Sequence, residues 1–399
     1  MPLSGGAVEG GPTAAAVTVA DVSEHIRISC GLPSAGPTVG AEVEWLVADL
    51  SAADSRPSVP KLEGLLADIV LPGGSRISFE PGGQVELSSV PARTPDEAHA
   101  GLLADIAVLR PALRAGGLDL VAAPNDSARP PIRVSESPRY EAMERYFAAG
   151  GWTTAPQMMC NTASIQVNVG CGADPSATWQ RANGLAPILA AAFACSPADG
   201  WASARLRSWA EIDPSRTASA FDSGDATADW TQYALAATAI MRVGSDGGFE
   251  ALPDGLTLRE WIEAPPNGCG PPTMSDVELH LSTLFPPARL KGWIELRVID
   301  MQPGEWWPVP LAVTAALLAP AGPVAHAHDF DWLDEYRDLT WQEAGRLGMG
   351  SPRLAAAANE TLRLARARLD EQGSALTGLV ERFRLERVEP ALAGGRRRA

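Results

Sequence analysis

Polar and apolar positions alternate in four stretches of the chain, and the polar side of each is rich in carboxylates and amides. In AEVEWLV, Glu42 and Glu44 alternate with Val43 and Trp45. In RISFEPGGQVELSS, two alternating runs flank Pro81-Gly82-Gly83, which has the composition of a hairpin turn. Symmetry about Gly83 places Glu80 across from Glu86. NTASIQVNVG sets Ser164, Gln166 and Asn168 against Ile165, Val167 and Val169, and WIELRVID sets Glu295 and Arg297 against Ile294, Leu296 and Val298. Period-two alternation with one polar face predicts an antiparallel sheet whose apolar side packs on helices.

Helical spacing is clearest in three segments. Thr94-Pro95 opens one as cap and first residue, Asp96 and Glu97 suit its first turn, and Gly116-Gly117 closes it. A second runs from Arg139 to Ala149 and stops at Gly150-Gly151. A third starts at Ser351-Pro352, breaks near Gly373 and ends about Val388, with Glu and Arg on its outer face. The most apolar run, Val309 to Ala325, is interrupted by Pro310, Pro320 and Pro323, so a buried helix is expected there and not a membrane span. No repeat or long linker divides the chain. A flexible tail over 1–15, one domain over 16–388 and a flexible basic tail over 389–399 are the expected organisation.

Composition narrows the function. Hydrophobic residues make up 46% of 399, enough for a large core, and 48 acidic against 32 basic residues give a formal charge of −16. That balance excludes a nucleic-acid or anionic-membrane surface, but not a small anionic ligand held in a locally basic or metal-filled pocket. Five cysteines without CxxC spacing suit neither a disulfide framework nor a zinc site. The N-terminus lacks the basic and apolar regions of a secretory signal, and a reducing cytoplasm is the simplest location.

Five of the polar-face residues are Glu, and this changes the picture. Neighbouring carboxylates about 5 Å apart on one sheet repel by roughly 3 kcal/mol per pair at an effective dielectric near 20. Divalent cations would remove that cost. Carboxylate and amide oxygens suit Mg²⁺ or Mn²⁺, and the lack of nearby Cys or His argues against zinc. Neither lysine (Lys61, Lys291) follows a GxxxxG, and no GxGxxG follows a strand, so a P-loop and a Rossmann site are both excluded. A nucleotide bound through metals on a sheet face, clamped by Arg, remains. His326 and His328 have metal-site spacing but sit after a Pro-rich loop. Cys160 has no activating His nearby and is expected to be a buried structural thiol.

The blocks GAEVEW, FEPGGQVELSS, RYEAMERYF, MMCNTASIQVNV, SARLRSWAEIDPSR and HLSTLFPPARLKGWIELRVID resemble, in this order, the glutamate–cysteine ligases of the plant and bacterial type. Within them the chain is most similar to the actinobacterial branch that serves ergothioneine biosynthesis. The resemblance implies an α+β, glutamine-synthetase-like catalytic domain: a curved antiparallel sheet with helices on its outer face, and two or three Mg²⁺ ions (Mn²⁺ can substitute) with ATP on the inner face. It implies L-glutamate and L-cysteine as further substrates and γ-glutamylcysteine as product, with no nucleic-acid or membrane partner and a monomer favoured. By position, Glu42, Glu44, Glu80, Glu86 and Glu295 match metal-binding carboxylates. Gln166 and Asn168 fall where related ligases contact metal or nucleotide, and Arg297 matches a phosphate-contacting Arg, with Glu295 beside it in catalysis. Arg139 and Arg205 match positions that hold glutamate, and Asp213 and Arg216 also match. Gly170 departs from relatives that carry Asp there. A different amine substrate, or a non-catalytic relative of the same fold, is the competing expectation.

Overall fold

The alternating stretches form five strands of one seven-stranded sheet. A computed structural model describes residues 16–31, 38–244, 248–319 and 327–395. The strands are β1 (Val39–Asp49), β2 (Arg76–Phe79), β3 (Val85–Ser88), β4 (Leu118–Val121), β5 (Ile165–Gly170), then β6 (Met241–Val243) and β7 (Phe249–Ala251), which pair only with each other, and finally β8 (Ala288–Leu290) and β9 (Trp293–Leu296). The sheet order is β2-β3-β1-β5-β9-β8, every pairing is antiparallel, and β4 joins the far half of β1. That order brings together segments more than 200 residues apart in sequence.

The apolar sides of the strands (Val43, Trp45, Val85, Leu87, Ile165, Val167, Ile294 and Leu296) are buried in the main core. Helices Pro95–Ala115 and Pro308–Leu318 pack against β1, Pro308–Leu318 also packs against β5, and helix Pro175–Ala192 covers β9. Pro308–Leu318 is buried along its whole length, as the apolar run predicts. Thr94 caps the Pro95 helix through a hydrogen bond from the Glu97 amide, and Gly116 ends it. Helix Pro352–Glu371 stops before Gly373, whose φ of +67° only glycine adopts cheaply.

Two expectations are corrected. The hairpin turns about Gly82 and not Gly83: Ser78 faces Glu86, and Glu80 pairs with Gln84 through its amide. The cause is a three-residue turn in which Gly83, at φ +81°, donates to the Glu80 carbonyl. Glu80 thus keeps the face of Glu86 but sits one step further along it. The C-terminal segment is helical again over Glu389–Gly395, so the boundary at 388 does not mark the start of a tail. Residues 1–15, 396–399 and His326 lie outside the described residues, and nothing of the side chain at 328 is described.

Candidate active site

The polar face of the sheet is the floor of a cavity of about 570 Å³. Helices Pro138–Ala149, Ala155–Cys160, Ala204–Ala210 and Met274–Leu281 supply its walls through Arg139 and Tyr140, Met158 and Met159, Arg205 and Trp209, and Leu281. Strand register sets the floor in rows. Ser78, Glu86 and Glu44 stand side by side, and one row further Arg76, Ser88, Glu42 and Gln166 do the same.

One end of the cavity is acidic. Single carboxylate oxygens of Glu44, Glu80 and Glu86 lie within 4.8 Å of one another. Burial raises all three above the ordinary carboxylate range; neighbouring carboxylates raise Glu80 and Glu86 further, and Arg205 only partly offsets the shift at Glu44. Glu42 is pushed up to about 7, by burial first and then by Glu295 and Glu86. Two of these carboxylates are also aimed by hydrogen bonds. Glu44 accepts from the Ser164 amide at 2.8 Å and from Gln166 Nε2 at 2.8 Å, while Glu86 accepts from Ser78 and Ser88 hydroxyls. Three converging oxygens, none of them in an ion pair among the described residues, fit a hard divalent cation and no softer metal.

The other end is basic. Glu295 is fully buried, and its carboxylate accepts from Arg289 Nε at 2.6 Å, Arg297 Nη1 at 2.9 Å and Lys291 Nζ at 3.1 Å. Burial pushes its pKa up, but the three cations, led by Arg289, outweigh burial and hold it well below the ordinary range. Arg297 also donates to Gln166 Oε1, and its guanidinium lies 5.4 Å and 5.7 Å from the Phe285 and Trp209 ring centroids. Gln166 therefore links a carboxylate of the acidic end to a guanidinium of the basic end.

Of the residues predicted from sequence, Glu42, Glu44, Glu80, Glu86, Gln166, Arg139, Arg205 and Arg297 all line this cavity. Glu295 sits beneath it as the counter-charge of the basic end, apart from the acidic trio. Asn168 is on the same strand face but accepts from Trp293 Nε1 at 3.1 Å outside the lining. Asp213 and Arg216 form a buried pair at 3.2 Å, joined to Tyr146 and Thr283, and also lie outside it. Cys160 is buried, and burial pushes its thiol up to about 12. Sequence reasoning passed over Arg289 and Lys291. Their signal was present: Gly292, at φ +81°, turns ARLKGWIEL back on itself, so Arg289 pairs directly with Glu295.

A model of the glutamate–cysteine ligase family 2 matches residues 38–392. The chain belongs to that family. Glutamate–cysteine ligase EgtA of Mycolicibacterium smegmatis is 36% identical over 373 residues, covering 88% of this chain and 85% of its own. The chloroplastic glutamate–cysteine ligase of Solanum lycopersicum is 27% identical over 331 residues, covering 77% of this chain and 62% of its own. A bifunctional glutathione synthetase from Pasteurella multocida, 12% identical, superposes with a TM-score of 0.50 over 88% of this chain and 48% of its own. This chain spans about half of that protein, and the likeness is one of fold. Family 2 membership makes the chain an enzyme of the ligase class, and the expected α+β architecture, an antiparallel sheet with helices packed on its apolar face, is the one found. Among the described residues no helix is long and apolar enough to cross a membrane.

Proposed function

We propose that the chain joins the γ-carboxylate of L-glutamate to the amine of L-cysteine with ATP, through γ-glutamyl phosphate, releasing γ-glutamylcysteine, ADP and phosphate. Its product then enters ergothioneine biosynthesis in the cytoplasm, a reading supported by the 36% identity to mycobacterial EgtA enzymes over most of both chains. The observation that carries the chemistry is one cavity with an all-oxygen acidic end and a guanidinium-rich basic end, bridged by Gln166.

Glu44, Glu80 and Glu86, with Glu42 beside them, would hold two or three Mg²⁺ ions, for which Mn²⁺ can substitute. Such ions, when bound, neutralise phosphate oxygens and favour phosphoryl transfer. Arg297 faces the transferred phosphoryl group. Its charge is aimed by Glu295 and stripped of water by Trp209 and Phe285, which strengthens it towards an anion. Arg205 and Arg139 take the glutamate carboxylate. Arg139 is steadied by bonds to Ser282 O and Oγ, and Arg205 by a bond to the Arg297 carbonyl at 2.9 Å. Asn168 orients Trp293 at the rim of the basic end. These groups act by holding two reactants in line.

A substrate panel tests the proposal. Purified protein with Mg²⁺-ATP and glutamate is given each candidate amine, with products weighed by mass spectrometry. γ-Glutamylcysteine with matching phosphate release is expected. A product with another amine only would keep the ligase and change its substrate, and no phosphate release under any condition would remove the reading.

A further inference from the structure

Behind the hairpin turn that carries Glu80 lies a buried cluster with two guanidiniums and one carboxylate. Arg56 Nη2 donates to Asp126 Oδ2 at 3.0 Å and to Asn161 Oδ1, and Arg129 Nε donates to the same Asp126 oxygen at 2.6 Å. Asn161 returns two bonds, from Nδ2 to the carbonyls of Asp126 and Arg129. Arg129 is tied into the scaffold, its Nη1 also reaching the carbonyls of Val47 and Ser55. The Arg129–Asp126 pair is charge-neutral by itself, so Arg56 adds a second buried cation that the pair does not need. A buried charge is costly unless it does something particular with its hydrogen bonds.

The Nη1 donor of Arg56 does so, while Nε is buried without a hydrogen bond. Nη1 lies between two carbonyls on opposite sides of a seam: Gly82 in the hairpin turn at 3.3 Å and Cys160, the last residue of helix Ala155–Cys160, at 3.0 Å. Gly82 is seated directly on that helix end, since a Cβ there would fall 2.1 Å from the Cys160 oxygen. Gln84 stitches the same seam further along, donating from Nε2 to Thr162 O at 2.8 Å. Two residues before Gly82 is Glu80, and one and two residues before Cys160 are Met159 and Met158, all in the cavity lining. The turn is otherwise a mobile kind of element, and Glu80 lies just beyond the end of β2.

We infer that Arg56 is a positioning residue for the metal-ready carboxylates: it fixes the Pro81-Gly82-Gly83 turn to the end of helix Ala155–Cys160, and so fixes Glu80 against Glu44 and Glu86. The inference rests on the proposed reading of those three carboxylates as cation ligands. It does not depend on the identity of either amino-acid substrate.

The test measures Mn²⁺ binding to the full chain without nucleotide or amino acids, by loss of the free-ion electron paramagnetic resonance signal. Three variants are compared with the unsubstituted protein. Arg56→Met removes the clamp and leaves Asp126 paired with Arg129. Arg56→Lys keeps the charge but cannot span two carbonyls and two side chains. Gly82→Ala disturbs the same seam from the other side and covers the case in which Arg56→Met does not fold. Removing an outer-shell partner typically weakens metal binding about tenfold to a hundredfold. A loss in that range is expected for Arg56→Met and Gly82→Ala, with Arg56→Lys in between. A lowered melting temperature with unchanged Mn²⁺ affinity in the folded variants would make Arg56 a scaffold residue only and overturn the inference. If the unsubstituted protein binds no Mn²⁺, the reading of the carboxylates falls and the inference falls with it; an unsubstituted protein that binds and variants that bind equally well remove Arg56 alone.

Discussion

Glu44 and Glu86 occupy paired positions on adjacent antiparallel strands, facing the same cavity. A directly opposed like-charge pair destabilises a sheet. Here Glu80 makes it a trio, and no lysine or arginine forms an ion pair with any of the three among the described residues. Yet an Arg–Lys cluster stands on the same sheet, occupied with Glu295. The molecule keeps its opposite charges at opposite ends of one cavity, which leaves the acidic end to an external cation and the basic end to an external anion.

The first prediction follows from that separation. Glu42, at about 7 in the folded protein against an ordinary 4.5, is a carboxylate with a raised folded pKa. The stability it contributes is fully present below about pH 4.5 and is lost as pH rises through about 7. Glu44, Glu80 and Glu86 are raised in the same direction. Mg²⁺ binds the ionised forms, so its stabilisation is expected to be larger at pH 8 than at pH 5. Melting curves in chelator and in excess Mg²⁺ at both pH values check this, and equal Mg²⁺ shifts at the two would contradict it.

A second pH effect has the opposite sign and a different source. His280 is buried, bonds from Nε2 to the Ala234 carbonyl at 2.8 Å, and is pushed down to about 3 by burial and then by Arg216. The unfolded chain takes up this proton near pH 6.5, whereas the folded one resists it. Stability from keeping His280 neutral is therefore lost as pH falls from about 6.5 towards 3. His280→Gln retains a donor for Ala234 but cannot titrate. Its melting temperature is expected to be less sensitive to acid over that window than that of the parent, and parallel curves would show that His280 does not contribute.

What was legible in the sequence depended on the range of the interaction. Period-two alternation placed Glu42, Glu44, Gln166 and Arg297 on the inner face, because a strand's facing is local to the strand. The helix over Pro95–Ala115 was legible for the same reason, through Thr94 and Gly116. The hairpin register was not, since a single residue in the turn decides it and Gly82-Gly83 permits either solution. The surroundings of Glu295 were missed because they come from a hairpin partner, Arg289, and from the same strand's next inward residue, Arg297. The Arg56 seam was invisible, as it joins residues separated by 26 and by 104 positions and carries no periodicity.

Glu295 supplies a third prediction, and the structure reverses the sign that repulsion among five glutamates had suggested. Glu295→Gln removes the counter-charge of Arg289, Lys291 and Arg297 in a buried place. Breaking a buried ion pair from one side costs about 3–5 kcal/mol, and Lys291 can relieve part of this by turning to solvent. The metal-free variant is expected to be less stable than the parent. Turnover is expected to fall on the order of a hundredfold as Arg297 loses its aim. Chemical denaturation and phosphate release on one preparation check both, and lost turnover at unchanged stability would make Glu295 a cation ligand.

The last prediction concerns the walls of the cavity. Arg205 is almost fully buried, yet its side chain is only partly used: Nη2 donates to the Arg297 carbonyl at 2.9 Å, and Nη1 is 3.9 Å from Asp300 Oδ1 with no hydrogen bond of its own. Asp300 is meanwhile satisfied by Ser196, Ser203 and the Cys195 amide. A guanidinium so placed can engage a carboxylate without surrendering an existing ion pair of full strength. Arg205→Ala is therefore expected to raise the KM for glutamate about tenfold to a hundredfold, the range for losing a hydrogen bond to a charged group, with a much smaller change in the KM for ATP. Arg205→Lys is expected to recover little, because an ammonium reproduces neither the fork nor the bond to Arg297. Steady-state kinetics with each substrate varied in turn decide the matter. An equal rise in both KM values would place Arg205 on the phosphates, next to the Arg297 whose carbonyl it holds, and leave Arg139 to bind the amino acid.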